Sequence, residues 1–152
     1  FTIGAGGPAK QGSAVADGTK GTVSAMLRVF SSGGGLHLPA SRVLSGFVTA
    51  VRRDRTAGTT TRISLSSTGS AVVLQLKLRT AAGADVAGGT TEIRLAANGQ
   101  TTRTLDQLFP AVAGDTFDGT LSVTVSGGGT VATSVVLLSP TGGTVLPVVA
   151  LQ

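Results

Sequence analysis

The sequence predicts an all-β chain: an antiparallel β-sandwich with an extended N-terminal arm. Three observations carry this. Short runs of β-branched and aliphatic residues recur along the chain, separated by Gly, Ser, Thr and Asn turn signals. Several of these runs alternate apolar and polar residues with a period of two, which gives a strand one core face and one hydroxyl or charged face. Helical signals extend to a single turn at most. About eight to ten short strands at regular spacing fit a sandwich better than a closed barrel, the alternative.

Residues 1–21 form the expected arm. They are rich in Gly, Ala, Ser and Lys, and Phe1, Ile3 and Val15 are the larger apolar residues. Alone, such a segment buries too little to offset its ordering entropy. It is expected to gain order by docking on another copy of the same body, with Phe1, Ile3 and Val15 as its assembly contacts. Residues 22–152 are expected to form the sandwich domain.

The strands follow in order. Thr22 to Phe30 alternates Val23, Ala25, Leu27 and Val29 with Thr22, Ser24, Met26 and Arg28. A glycine turn leads to a short strand, Leu36 to Leu38, stopped by Pro39. Val43 to Arg53 is a strand with Phe47 as its core anchor, and Arg52 to Gly58 reads as a polar loop. Thr59 to Ser67 places Ile63 and Leu65 on one face. Ala71 to Arg79 has the cleanest alternation, with Val72, Leu74, Leu76 and Leu78 inward. Residues 81–89 read as loop and turn, and Thr90 to Leu95 as a strand with Ile93 and Leu95 inward. The Asn98-Gly99 pair marks a turn before an extended stretch from Thr101. Thr104 or Asp106 caps a single helical turn that ends at Pro110. The closing stretch, Phe117 to Leu146, holds two strands joined at Gly127-Gly128-Gly129, and a third begins behind Gly142-Gly143.

A repeat crosses this pattern. Ser31-Ser-Gly-Gly-Gly-Leu-His-Leu-Pro39 matches Ser139-Pro-Thr-Gly-Gly-Thr-Val-Leu-Pro147 at an offset of 108 residues (139 − 31), and Val23 then matches Val131. Such self-similarity is expected of tandem modules, or of a polymer in which one subunit's hairpin abuts the next.

The segments Leu105-x-x-Leu108-Phe109-Pro110, Phe117-x-Gly119-Thr120-Leu121-x-Val123 and Gly142-Gly143-Thr144-x-Leu146-Pro147-Val148 carry a resemblance. With Leu95 to Gln100 before them, they resemble the immunoglobulin-like β-sandwich repeat modules of bacterial surface and secreted proteins. The resemblance covers about Ser45 to Val148. It implies an immunoglobulin-like fold, tandem use and no known catalysis. Its residues are turn and core positions, so it speaks to fold rather than ligand.

Composition narrows the function. The chain has 152 residues, 23 of them Gly, with no Cys, Trp or Tyr and five Phe, so the core must be mainly aliphatic. Only 12% of residues are charged, against about a quarter in ordinary soluble proteins. A surface of Thr, Ser, Gly and Ala suits packing against neighbours, or exposure outside a cell. The net charge is +5, yet the one dense basic patch, Arg52, Arg53 and Arg55, has no aromatic ring interleaved. Nucleic-acid binding is therefore not expected. An acidic surface polymer, a glycan or a negatively charged neighbouring subunit suits the patch better. No apolar run is long enough to span a membrane. The first residue is Phe rather than Met, as expected of a processed form or fragment.

No catalytic or cofactor-binding constellation stands out. His37 is the sole histidine and brings no further metal ligands with it. Asp115 and Asp118 flank Phe117 without the spacing of a Ca²⁺ loop. The glycine runs lack the Lys-Ser/Thr ending of a phosphate loop. The outward position of Lys77 argues against a buried cross-link to Asn98. The expected function is a non-enzymatic structural subunit of an extracellular, pilus-like filament or surface array. Copies would form a homopolymer by β-strand addition, with the N-terminal arm exchanged between them. The alternative is a cell-surface adhesion module that recognises glycan or protein through Arg52, Arg53 and Arg55.

Overall fold

The computed structural model describes residues 26–31, 34–39 and 41–152. The arm with Phe1, Ile3 and Val15 lies outside the described residues. In chain order the elements are β1 (Met26–Ser31), β2 (Gly34–Pro39), β3 (Gly46–Asp54), β4 (Thr59–Ser67), β5 (Val72–Thr80) and β6 (Asp85–Leu95). They continue with β7 (Gln100–Thr104), α1 (Leu105–Leu108), β8 (Thr116–Ser126), β9 (Val131–Ser139), β10 (Gly142–Val145) and β11 (Val148–Ala150). All the strand pairings are antiparallel, so the body is an all-β, antiparallel structure.

β3 is the organising strand. Along one side it pairs with β8 over its whole length, from Gly46 opposite Thr124 to Asp54 opposite Thr116. Its other side is divided. β11 pairs with Phe47, Val48 and Thr49, whereas β4 pairs only with Arg53 and Asp54 at the hairpin end. β4 then leaves β3 and takes β9 on one side and β7 on the other. The main strand path runs β10-β9-β4-β3-β8-β5-β6, with β7 and β11 attached to β4 and β3. The hairpin β1–β2 is a separate two-stranded sheet.

Alternation explains why the two halves of this path share one core. Phe47, Val51, Ile63, Leu65, Leu74, Leu76, Leu78, Leu121, Val123 and Val135 all belong to one buried cluster. Leu105, Leu108 and Phe109 close it from the helical turn. Each such side chain contributes about 1.5–3 kcal/mol by leaving water. The free side of β9 is shared. Leu44 bridges Val131 at one end, with Ser41 Oγ accepting from Thr133 N at 3.0 Å. β10 occupies the other end, from Ser139 to Val136.

Two local expectations change, and a third, left between two residues, is decided. β6 begins at Asp85 rather than Thr90, because the Gly88-Gly89 pair makes an irregularity inside a strand instead of a turn before one. The β5–β6 register shifts between Lys77 and Arg79, and Gly88 has φ 70°. A Cβ on Gly89 would sit 2.8 Å from Val86 O, so only glycine lets the strand pass there. Second, β3 continues through Asp54, so Arg52 and Arg53 stand on a strand and the turn begins at Arg55. Third, Thr104 rather than Asp106 is the N-cap. Gln107 N donates to Thr104 Oγ1 and Gln107 Oε1 accepts from Thr104 N at 2.9 Å, a capping box.

Candidate functional site at the arginine turn and the strand edges

The three arginines singled out in the sequence part company in the structure. Strand alternation sends Arg53 inward after Phe47, Thr49 and Val51, and its side chain is 1% exposed. Its Nη1 donates to Asp106 Oδ1 at 3.1 Å. Its Nη2 reaches the carbonyls of Val112, Ala113 and Gly114 at 3.3, 3.2 and 2.8 Å. One guanidinium thus ties the segment after α1 to β3. Burying a charge is tolerable because it is paired and hydrogen-bonded, although Nε has no partner. Arg53 is a structural tie and has no free face for a ligand.

Arg55 stands outside, 44% exposed, with Nη2 2.7 Å from the same Asp106 Oδ1 and Nη1 3.7 Å from Asp115. The hydrogen bond to Asp106 raises its pKa further above an already high value. Asp106 is the residue that joins these arginines. Sequence reasoning missed that role by treating it as a candidate cap. Arg52 points to solvent from β3, opposite Asp118 on β8. With Asp54, Thr116, Phe117 and Asp118 it lines a shallow depression of ≈ 170 Å³. A larger groove of ≈ 400 Å³ lies between β6 and β7, lined by Ile93, Arg94, Arg103 and Gln107 among others.

The remaining sequence candidates are dispersed. Asp115 serves Arg55, and Asp118 lies exposed on β8. His37 falls on β2 opposite Arg28. Lys77 Nζ pairs with Asp85 Oδ2 at 2.7 Å on the surface. Among the described residues, no group of three or more His, Cys, Asp or Glu side chains is placed to hold a metal ion. No helix among them is long and apolar enough to cross a membrane.

The two end strands of the path offer backbone rather than side-chain chemistry. β6 carries Asp85, Glu92 and Arg94. Asp85 is joined to Lys77 and Arg79 of β5, and Glu92 Oε1 lies 2.7 Å from Arg94 Nε. The hydrogen bond from Lys77 holds the Asp85 carboxyl below its ordinary range, and those from Arg94 and Gln75 do the same for Glu92. β10 is Gly142-Gly143-Thr144-Val145, with no charge and three exposed residues. Among the described residues, its single partner in the ladder is β9.

Comparison with known proteins returned no match among family models, curated proteins or solved structures.

Proposed function

We propose that this chain is a structural subunit of an extracellular filament or surface array, whose copies join through β-strand edges with the arm Phe1 to Gly21 as donor. The observation that carries the reading is strand β10, which is uncharged and, among the described residues, paired in its ladder with β9 alone. Such an edge presents unpaired N–H and C=O groups to any incoming strand. The sparse charge of the chain, 12%, supports a life packed among neighbours. The same reading takes the body as an immunoglobulin-like β-sandwich. β4, β7, β9 and β10 form one layer, and β3, β5, β6, β8 and β11 form the other. The two residue pairs at the β3–β4 hairpin join the layers.

The test is deletion of Phe1 to Ala16, with assembly followed by electron microscopy and sedimentation. Loss of polymers supports the arm as the joint. Polymers that form as before remove the arm from the mechanism, and an intact chain that stays monomeric at high concentration removes the filament itself.

A second reading, a surface module that binds an acidic polymer or glycan, is favoured by the exposed Arg52 beside Phe117 and Asp118. Binding on a glycan array that disappears on Arg52→Ala would select it.

A further inference from the structure

The offset of 108 residues that aligns Ser31 with Ser139 (139 − 31) also aligns two hairpins. β1 pairs with β2 through Ser31↔Gly34, Phe30↔Gly35, Val29↔Leu36 and Arg28↔His37. β9 pairs with β10 through Ser139↔Gly142, Leu138↔Gly143, Leu137↔Thr144 and Val136↔Val145. Adding 108 to every member of the first set gives the second. A slip of one residue would exchange the two faces of a strand, so a shared register is a shared design. The identity extends beyond the hairpin itself: Gly21-Thr22-Val23 repeats as Gly129-Thr130-Val131, and Leu38-Pro39 as Leu146-Pro147.

The two hairpins also meet. β2 lies against β10 without entering its ladder. The path of the chain explains this. Ser41 to Leu44 runs along the free side of β9 at Val131 and Thr133, and β10 already holds the rest of that side. The preceding strand must therefore leave β9 and pass beside β10.

We infer that β10 is a docking surface for the closing hairpin of a neighbouring copy of the same module, and that β1–β2 occupies the place of that hairpin here. The module spans one 108-residue period. Successive modules are coupled closely because Ser41 to Leu44, soon after one hairpin, already lies along β9 of the next body. The partner is thus a second copy joined in tandem, and the contact is between equivalent hairpins. This inference does not depend on whether separate chains polymerise.

Two measurements test it. In the full chain, Thr144→Asp places a charge on an exposed position of β10. Amide exchange in β1 and β2 should then rise by about tenfold or more, while β5 and β8 stay protected. Val145→Asp serves as a second, more severe variant. Unchanged exchange in β1 and β2 in both variants overturns the docking surface. The second measurement extends the chain by repeating residues 45–152 directly after Gln152, which preserves the 108-residue period. The native sequence has no Cys, so Ala82→Cys in each body gives two unique spin labels. A narrow distance distribution between them supports coupled modules. A broad one, as for bodies on a free hinge, overturns the tandem contact.

Discussion

β6 and β10 end the same strand path, yet they treat their outer edges in opposite ways. β6 spans eleven residues, a length that would invite pairing with a foreign strand. It carries charges from Asp85, Glu92 and Arg94, salt bridges to Lys77 and Arg79, and a register shift with β5. These are the devices that blunt an edge. β10 has four residues, two of them glycine, and none of these devices. The difference teaches two ways of ending a strand path: charge and a register shift guard the long edge, whereas the short, uncharged one lies beside β2.

Both edges depend on one body, and Arg53 is its most demanding tie. Arg53→Met should lower stability by about 3 kcal/mol, because the carbonyls of residues 112–114 lose their donor inside the protein. Denaturant unfolding measures this. Amide exchange should quicken at β6 and β10 alike, and a loss confined to one end would break the comparison. Gly89→Val acts on β6 alone. Its Cβ would fall 2.9 Å from Val86 Cβ, so a loss of about 1–3 kcal/mol is expected, with exchange rising in β5 and β6 first.

Removing the guard without disturbing the core sharpens the comparison further. Lys77→Thr, Asp85→Thr, Glu92→Thr and Arg94→Thr together should leave the fold intact. They should raise concentration-dependent association by light scattering, since β6 becomes a long bare edge. If association stays unchanged, charge is not what closes β6.

Acid gives the smallest effect. Asp85 and Glu92 both have folded pKa values below their ordinary values of 3.8 and 4.5. Their contribution is therefore fully present above the ordinary range and is lost as pH falls through the depressed folded values. Both groups are solvent-exposed, so the change is slight. Thermal midpoints followed from about pH 7 to about pH 2 should show an acid decline that Asp85→Asn with Glu92→Gln partly removes.

Much of the body was legible in the sequence because alternation is a local signal. Val72, Leu74, Leu76 and Leu78 are all buried as their period of two requires, and Phe47 is fully enclosed. The capped helical turn and its end were equally plain. Glycine was harder to read. Gly88 and Gly89 carry the same letters as a turn, and only the close approach of Gly89 to Val86 of its own strand and to Leu78 of β5 shows that they sit within a strand. The arginines were harder still. Arg52, Arg53 and Arg55 look alike in sequence, but their fates depend on which side of β3 each leaves and on the distant Asp106. The 108-residue repeat was visible as matching letters. Pairing register turned it into matching structure.

The divided side of β3 has a mechanical meaning. Leu151 N donates to Gly46 O at 3.0 Å, so the strand that opens the body and the segment that closes it lie side by side at one end. A pull applied through these two points would load the short β3–β11 pairing bond by bond, like a zip opened from its tab, rather than shearing all its bonds together. Tension between these two points would therefore peel the three-residue β11 pairing away before the nine-residue β3–β8 ladder opens.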